Sequence, residues 1–336
     1  MTQLKKILPG ILLCLAIAVP AWFLGKVFPI VGGPVFGILF GMIIALIRKP
    51  KFFDDGVKYT SKKLLQYSII LLGFEMNLFN VIKVGGQSLF VMLFTLSASF
   101  LTAFFVGRAL KLKGKMVTLI GVGTSICGGS AIAATAPVIQ AEDEDVAHSI
   151  STIFLFNIVA VFIFPALGHL LGMSDMGFGM WAGTAINDTS SVVAAGTAWS
   201  SSAGNDIALN FATIVKLTRT LMIVPITFVL AIYTSRESAK SANGSTFNFA
   251  KVFPWFVLGF VAAAVINTFT NIPEEVSHGL VTAGKFVIVM AMAAIGFNTH
   301  LKKLVTNGFK PIFLGLCCWF AVAEVSLIVQ TVMKMW

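Results

Sequence analysis

The chain has 336 residues, 57% of them hydrophobic and only 11% charged, with a mean hydropathy of +0.92. Soluble domains carry roughly 25% charged residues, so a mainly water-exposed surface is excluded. The net charge of +10 gathers in loops between apolar stretches, which marks membrane topology and not a nucleic-acid surface.

Lys5 and Lys6 precede an apolar run containing Ala16 and Ala18, the outline of a signal peptide. The run over 7–25 is nevertheless long enough to cross a ~30 Å hydrocarbon core, which takes about 20 residues, so a first transmembrane helix is expected. Further apolar spans fall near 29–47, 64–80, 84–107, 116–141, 146–171, 177–199, 207–233, 252–270, 279–299 and 309–332. Together they predict one all-α polytopic transmembrane domain over 1–336 with about eleven spans, in a bacterial inner membrane. With the N-terminus cytoplasmic, 18 of the 24 Lys and Arg residues fall inside. The acidic runs Glu142–Asp145 and Glu274–Glu275 then fall outside. Because Lys and Arg orient membrane proteins and acids contribute little, N-in/C-out is expected.

Two internal similarities point to a transporter built from repeats. Residues 72–78 (LGFEMNL) resemble residues 295–301 (IGFNTHL), on spans of opposite direction, as an inverted repeat requires. Residues 123–132 (GTSICGGSAI) align with residues 183–192 (GTAINDTSSV), two runs of small polar residues that make poor helix centres. At bilayer depth such runs either let helices pack closely or break a helix beside a cavity. Their recurrence favours discontinuous helices at a binding site. With eleven through-going spans the two segments would run parallel, unless one is a re-entrant hairpin.

Six ionisable residues fall within the spans: Glu75, Asp188, Lys216, Arg219, Lys285 and Glu324. Glu75 and Lys285 lie near span ends, where interfacial placement accounts for them. Glu324 is a weaker proton-path candidate. Lys216 and Arg219 are mid-span, and their i, i+3 spacing puts them on one helix face. An Arg fork and a Lys point charge suit an oxyanion; the simpler reading is pairing with Asp188. Helix starts near Ser130 and Thr189-Ser190-Ser191 would add backbone donors. Asp188 could carry a coupling proton, or join Thr124, Asn157 and Asn187 in a Na⁺ site. The four cysteines (Cys14, Cys127, Cys317, Cys318) have no metal-ligand spacing. No nucleotide-binding or hydrolase motif is present in the sequence, so neither an enzyme nor a cofactor is expected.

Over nearly the whole chain the sequence resembles the YeiH-type family of bacterial inner-membrane proteins, named for sulfate export. The resemblance is carried by GVGTSICGGSAIAATAPVI (121–139), LFN (155–157) with FPALG (164–168), WAGTAINDTSSVVAAG (181–196) and VKLTRTLMIVPI (215–226). It implies a fold similar to Na⁺/H⁺-antiporter-like and bile-acid-symporter-like transporters. Its motif positions fall on Ser125, Cys127, Gly128, Gly129, Ser130, Asn157, Asp188, Thr189, Ser190, Lys216 and Arg219. Where the family often carries Gln after Asp-Thr-Ser and Ala after Cys-Gly, this chain has Ser191 and Gly129.

The expected function is therefore secondary export of a small oxyanion such as sulfate, sulfite or a sulfonate, coupled to H⁺ or Na⁺. Substrate would meet Ser125, Cys127, Gly128, Gly129, Ser130, Thr189, Ser190, Lys216 and Arg219, and the coupling ion Thr124, Asn157, Asn187 and Asp188. A homodimer is an architectural analogy only. The alternatives are a cation/proton antiporter working through Asp188, and, from another class, an anion channel or a membrane sensor subunit.

Overall fold

A computed structural model of the chain describes residues 3–28, 33–47, 50–238, 255–270, 272–299 and 308–335. His300 and Leu301 of the second short repeat, and the basic residues within 239–254 and 300–307, lie outside the described residues.

The described residues are helical without strands. The chain begins with α1 (Gln3–Val27) and α2 (Gly33–Ile47). A helical rod over residues 51–75, here α3, follows; its α-helical parts Asp54–Tyr59 and Leu65–Leu72 are joined by a π-helical turn, Thr60–Leu64. Next comes the long α4 (Leu78–Ala109), whose first turn is capped by the Asn77 side chain accepting from the Phe79 N–H at 2.9 Å.

Two short helices, α5 (Gly114–Ser125) and α6 (Gly129–Thr135), precede α7 (Asp143–Leu170). Two more, α8 (Asp175–Ala185) and α9 (Thr189–Ala203), precede α10 (Ile207–Leu221) and its near-continuation α11 (Ile223–Ser238). The chain closes with α12 (Trp255–Phe269), α13 (Glu274–Asn298) and α14 (Phe309–Val332). Among the described residues six helices are long and apolar enough to cross a membrane, namely α1, α4, α7, α10 with α11, α13 and α14; α2 and α12 are shorter and apolar.

The spans expected at 116–141 and 177–199 do not run straight through. In the first, Lys115 Nζ donates to the Gln140 carbonyl at 2.7 Å and Lys113 Nζ to Glu142 Oε2 at 2.8 Å, so the start of α5 lies beside the segment leaving α6. In the second, Asp175 at the start of α8 accepts from Trp199 Nε1 at 2.7 Å and from Asn205 Nδ2 at 2.9 Å, both near the end of α9. The Trp199 ring stacks between Phe178 of α8 and His169 of α7, with ring centroids 4.1 Å away on each side. Each segment is thus a helical hairpin. The acidic run at 142 shares one end of the molecule with the basic turn at 113, whereas eleven through-spans would set them at opposite ends.

Between the hairpins stands α7, whose 28 residues rise about 42 Å. Hairpin 1 (α5–α6) starts from one end of α7 and hairpin 2 (α8–α9) from the other. The arms α5 and α8, of 12 and 11 residues, rise roughly 17 Å, about half the hydrocarbon core. Their tips therefore meet about midway along α7. The two small-residue segments, which through-going spans would set parallel, instead enter from opposite ends of α7 as two hairpins, each a helix, a break and a second helix.

The helices sort into two groups. α1, α2, α3, α12 and α13 pack together, and the hairpins pack with α4, α7, α10 and α14. In the first group α2 and α13 approach backbone to backbone: a Cβ on Gly41 would collide with the Ala293 carbonyl, and one on Gly296 with the Ile38 carbonyl. The seam between the groups is formed largely by α9 against α2 and α13. Lys285 of α13 reaches across it to Asp206 at 2.5 Å. That ion pair replaces the snorkelling expected of Lys285.

Candidate functional site

The breaks that make the tips follow from local chemistry. After Ser125 the chain leaves the helix at Ile126 and turns at Gly128, whose φ of 70° is open to glycine and rarely to other residues. In hairpin 2 the chain extends at Ile186 and restarts at Thr189, where the Asp188 carboxylate caps α9 by accepting from the Ser190 N–H at 3.0 Å and from the Ser190 hydroxyl. The tips touch. A Cβ on Gly128 would lie 3.4 Å from Asp188 Cβ and 3.5 Å from Asn157 Nδ2. Asn157 of α7 joins them, its Oδ1 accepting from the Asp188 N–H at 3.0 Å.

Lys216 and Arg219 share one face of α10, as their spacing predicts, and both are fully buried. Their donors go to the exposed carbonyl ends of the two broken arms. Lys216 Nζ donates to the Ile126 carbonyl at 2.7 Å and the Ile186 carbonyl at 3.1 Å. Arg219 donates from Nε to Ser125 O at 2.5 Å, from one terminal nitrogen to Thr124 O at 2.5 Å, and from the other to Thr184 O. A helix C-terminus carries about half a negative charge and several carbonyls without intrahelical donors. Two such ends converge here, and the cations answer both. Among the described residues no carboxylate lies within 4.0 Å of either cation, so the simple pairing with Asp188 is not what the structure has.

The remaining predicted residues distribute as follows. Thr124 and Ser125 return their hydroxyls to Ile120 and Val122 of their own helix and contribute carbonyls to Arg219. Cys127, Thr189 and Ser190 are buried at the tips, Gly129 is half-buried and Ser130 is exposed. Asn187, 1% exposed, stands between Ile186 and Asp188 with both side-chain polar atoms unpartnered, and Asn157 Nδ2 beside it is likewise unpartnered. Buried amide groups are nearly always hydrogen-bonded, so three idle polar atoms at the meeting of the tips are an exception to that rule. The formal charges of Lys216, Arg219 and Asp188 there sum to +1. Glu75 and Glu324 are exposed and take no part in the tips.

Sequence reasoning did not find Asp206 as the partner of Lys285. Nor did it find the buried oxygens of Thr135, Asp145, Ser149 and Thr152, none of which stands in a recurrent motif. A face of Asp145, Ser149 and Thr152 at i, i+4 and i+7 was the available signal.

The profile of the family described as Conserved hypothetical protein 698 matches residues 9–315. The chain belongs to this family. Relatives named UPF0324 membrane protein share half its residues along its whole length. The one from Streptococcus pyogenes serotype M18 is 50% identical over 100% of this chain and 99% of its own. That from Fusobacterium nucleatum is 49% identical over 96% and 97%, and that from Streptococcus mutans 48% over 98% of each. No solved structure matches the chain. Family, relatives' names and apolar helices together establish a multi-pass membrane protein.

Proposed function

We propose that this family member is a secondary transporter whose substrate, a small oxyanion of the sulfate, sulfite or sulfonate kind, binds where the two hairpin tips meet. The observation that carries the reading is the junction itself: idle Asn157 and Asn187 polar atoms where the tips meet midway along α7, beside the side chains of Lys216 and Arg219. Broken backbone at membrane depth is tolerated only beside protein or a watery cavity, and midplane sites at broken helices are a recurring transporter device. The resemblance to YeiH-type exporters points to the same substrate class. In this reading Lys216 and Arg219 hold the tips and supply the field, and the amides of Asn157 and Asn187 meet the anion.

The corresponding topology has nine crossings, made by α1, α2, α3, α4, α7, α10–α11, α12, α13 and α14, with hairpin 1 entering from the cytoplasm and hairpin 2 from outside. It keeps the N-in/C-out basic count, because Lys111, Lys113 and Lys115 stay inside. Movement of the hairpin-bearing group against the α1–α3, α12, α13 group, along the Lys285–Asp206 seam, would supply alternating access, driven by H⁺ or Na⁺. Asp188 is fixed as a helix cap, which speaks against it as the working carboxylate of a cation/proton antiporter.

The test is flux of labelled sulfate, sulfite and sulfonates in proteoliposomes under imposed pH and Na⁺ gradients. Saturable uptake that Asn187→Ala reduces at unchanged melting temperature supports the reading. Silence to every anion, with proton or Na⁺ movement alone, rejects it.

A further inference from the structure

The seam between the two helix groups carries charges that the tips do not use. Lys285 of α13 donates to Asp206 Oδ2 at 2.5 Å, and both side chains are partly buried. Asp206 stands at the N-cap of α10, where an Asp ordinarily accepts from the first turn of its own helix. Its side chain makes no such bond; the Asn205 Oδ1 accepts from the Ile207 N–H instead, at 2.9 Å. The Asp206 carboxylate is thus turned away from its own helix and across the seam.

A second carboxylate completes the group. Glu75 closes α3, and its turn rides with the first helix group: Ser277 Oγ of α13 donates to the Phe74 carbonyl at 2.6 Å, and a Cβ on Gly73 would collide with the Phe260 carbonyl of α12. The Glu75 carboxylate bonds to the Asn210 side chain, one turn beyond Asp206 on α10, and lies within electrostatic range of Asp206, Lys285 and His278. Glu75 and Lys285 therefore belong to one helix group, and Asp206 and Asn210 to the other. The formal charges of Glu75, Asp206 and Lys285 sum to −1. Of the elements packed on the Glu75 turn, α12 has no titratable residue, and α13 adds Glu274 and Glu275 in its first turn. Around α10, Asp175 of α8 is held by Trp199 and Asn205, and Lys216 and Arg219 are committed to the tips. Lys83 of α4, and Lys26 of α1 over the Trp22 ring, pair with no carboxylate among the described residues.

We propose that Glu75, Asp206 and Lys285 form a proton-operated latch on the seam, in which one proton held by Glu75 keeps Lys285 on Asp206. With Glu75 ionised, two carboxylates oppose each other across the seam and compete for one ammonium. Glu75 then repels Asp206 and draws Lys285 back toward its own helix group. A proton taken from water onto a Glu75 carboxylate oxygen removes both effects, and the same proton returns to water when the seam opens. Asn210 serves either form, its N–H for the carboxylate and its Oδ1, now buried without a donor, for the O–H. Glu75 is exposed, so the proton reaches it without crossing the core. By linkage, the form that holds the proton more tightly is favoured at low pH, so the seam closes at low pH and loosens as pH rises. The latch rests on the transport reading, for which it names H⁺ as the coupling ion, but the seam responds to pH whether or not an anion moves.

The experiment reads the seam directly. Ala198 of α9 is buried in one apolar cluster with Ile38 of α2 and Ile288 of α13, so a cysteine placed by Ala198→Cys meets maleimide only when the seam opens. Labelling of the full chain in lipid nanodiscs is followed from about pH 4 to about pH 9, the range over which carboxylates titrate between open water and a buried site. At each pH the rate is divided by that of the same reporter in Glu75→Gln, which cancels the thiol's own pH dependence. The ratio should be near one at low pH and rise about tenfold at high pH, as follows when the closed seam holds the proton ten times more tightly. His278→Asn should leave this profile in place, and Asp206→Asn should label fast at every pH. A ratio flat at one, a profile lost in His278→Asn, or an Asp206→Asn protein labelled no faster than native at low pH overturns the latch. Labelled-anion flux in proteoliposomes separates the two readings. A pH-operated seam without flux of any anion rejects transport and leaves the latch standing; anion flux unchanged by Glu75→Gln, with a flat ratio, does the reverse.

Discussion

Arg219→Ala tests the central claim that a single guanidinium joins two hairpins from opposite ends of the molecule. The substitution removes the donor from the carbonyls of Thr124, Ser125 and Thr184. A buried acceptor left without its donor costs about 1–3 kcal/mol, so three cost on the order of 3–9 kcal/mol. Release of the buried charge from its desolvation penalty offsets part of this, and the lower bound is the safer figure. At ~1.4 kcal/mol per factor of ten, about 3 kcal/mol raises the opened population of the tips roughly a hundredfold. Cys127 reports that opening, because it sits in the hairpin 1 break at 3% exposure. Its rate of maleimide modification, located by mass spectrometry, should rise about a hundredfold in Arg219→Ala. Arg219→Lys, which keeps the charge but loses the planar fork, should give an intermediate rise and serves if the alanine variant does not fold. A folded Arg219→Ala protein whose Cys127 reacts at the native rate would refute the reasoning.

Three further outcomes are expected. Cysteines placed at Lys115 and Gln140 should both label from one side of the membrane, and cysteines at Met176 and Asn205 both from the other; labelling of either pair from opposite sides would restore through-going spans. Gly128→Ala puts a side chain at φ 70°, at a cost of about 1–2 kcal/mol, and should lower the melting temperature and raise Cys127 reactivity, while Gly279→Ala, with open space around it, should do neither. At the base of hairpin 1, Lys113 holds the Glu142 carboxyl below its usual value of 4.5. The stabilisation is therefore present above that value and lost as pH falls through the depressed one. Hydrogen exchange at residues 140–142, corrected for its intrinsic pH dependence, should differ between native protein and Glu142→Gln near neutral pH and converge as pH falls through the depressed value.

The site's ingredients were legible from residue type alone. Lys216 and Arg219 are conspicuous because charges at bilayer depth are costly, and the runs at 123–132 and 183–192 because clustered small polar residues break helices. Both breaks fall within those runs, at Ile126–Gly128 and Ile186–Asp188. What the cations bind was not legible, since a backbone carbonyl leaves no mark in sequence and five of them, from two stretches far apart in the chain, 124–126 and 184–186, converge on two side chains.

The sequence by itself determined that this is a helical membrane protein, where its chain must break, and which charges lie deep, because hydropathy, helix propensity and the cost of burying charge are local properties. Tertiary structure alone decided that residues 114–140 and 175–203 double back. A hairpin and a through-span have the same length and the same apolar composition. They differ only in whether their two ends meet, and that is fixed by contacts such as Lys115 with Gln140 and Trp199 with Asp175. The unpartnered oxygens of Thr135, Asp145, Ser149 and Thr152 were hidden for the same reason. Each is an ordinary residue where it stands, and only packing buries its oxygen without a partner.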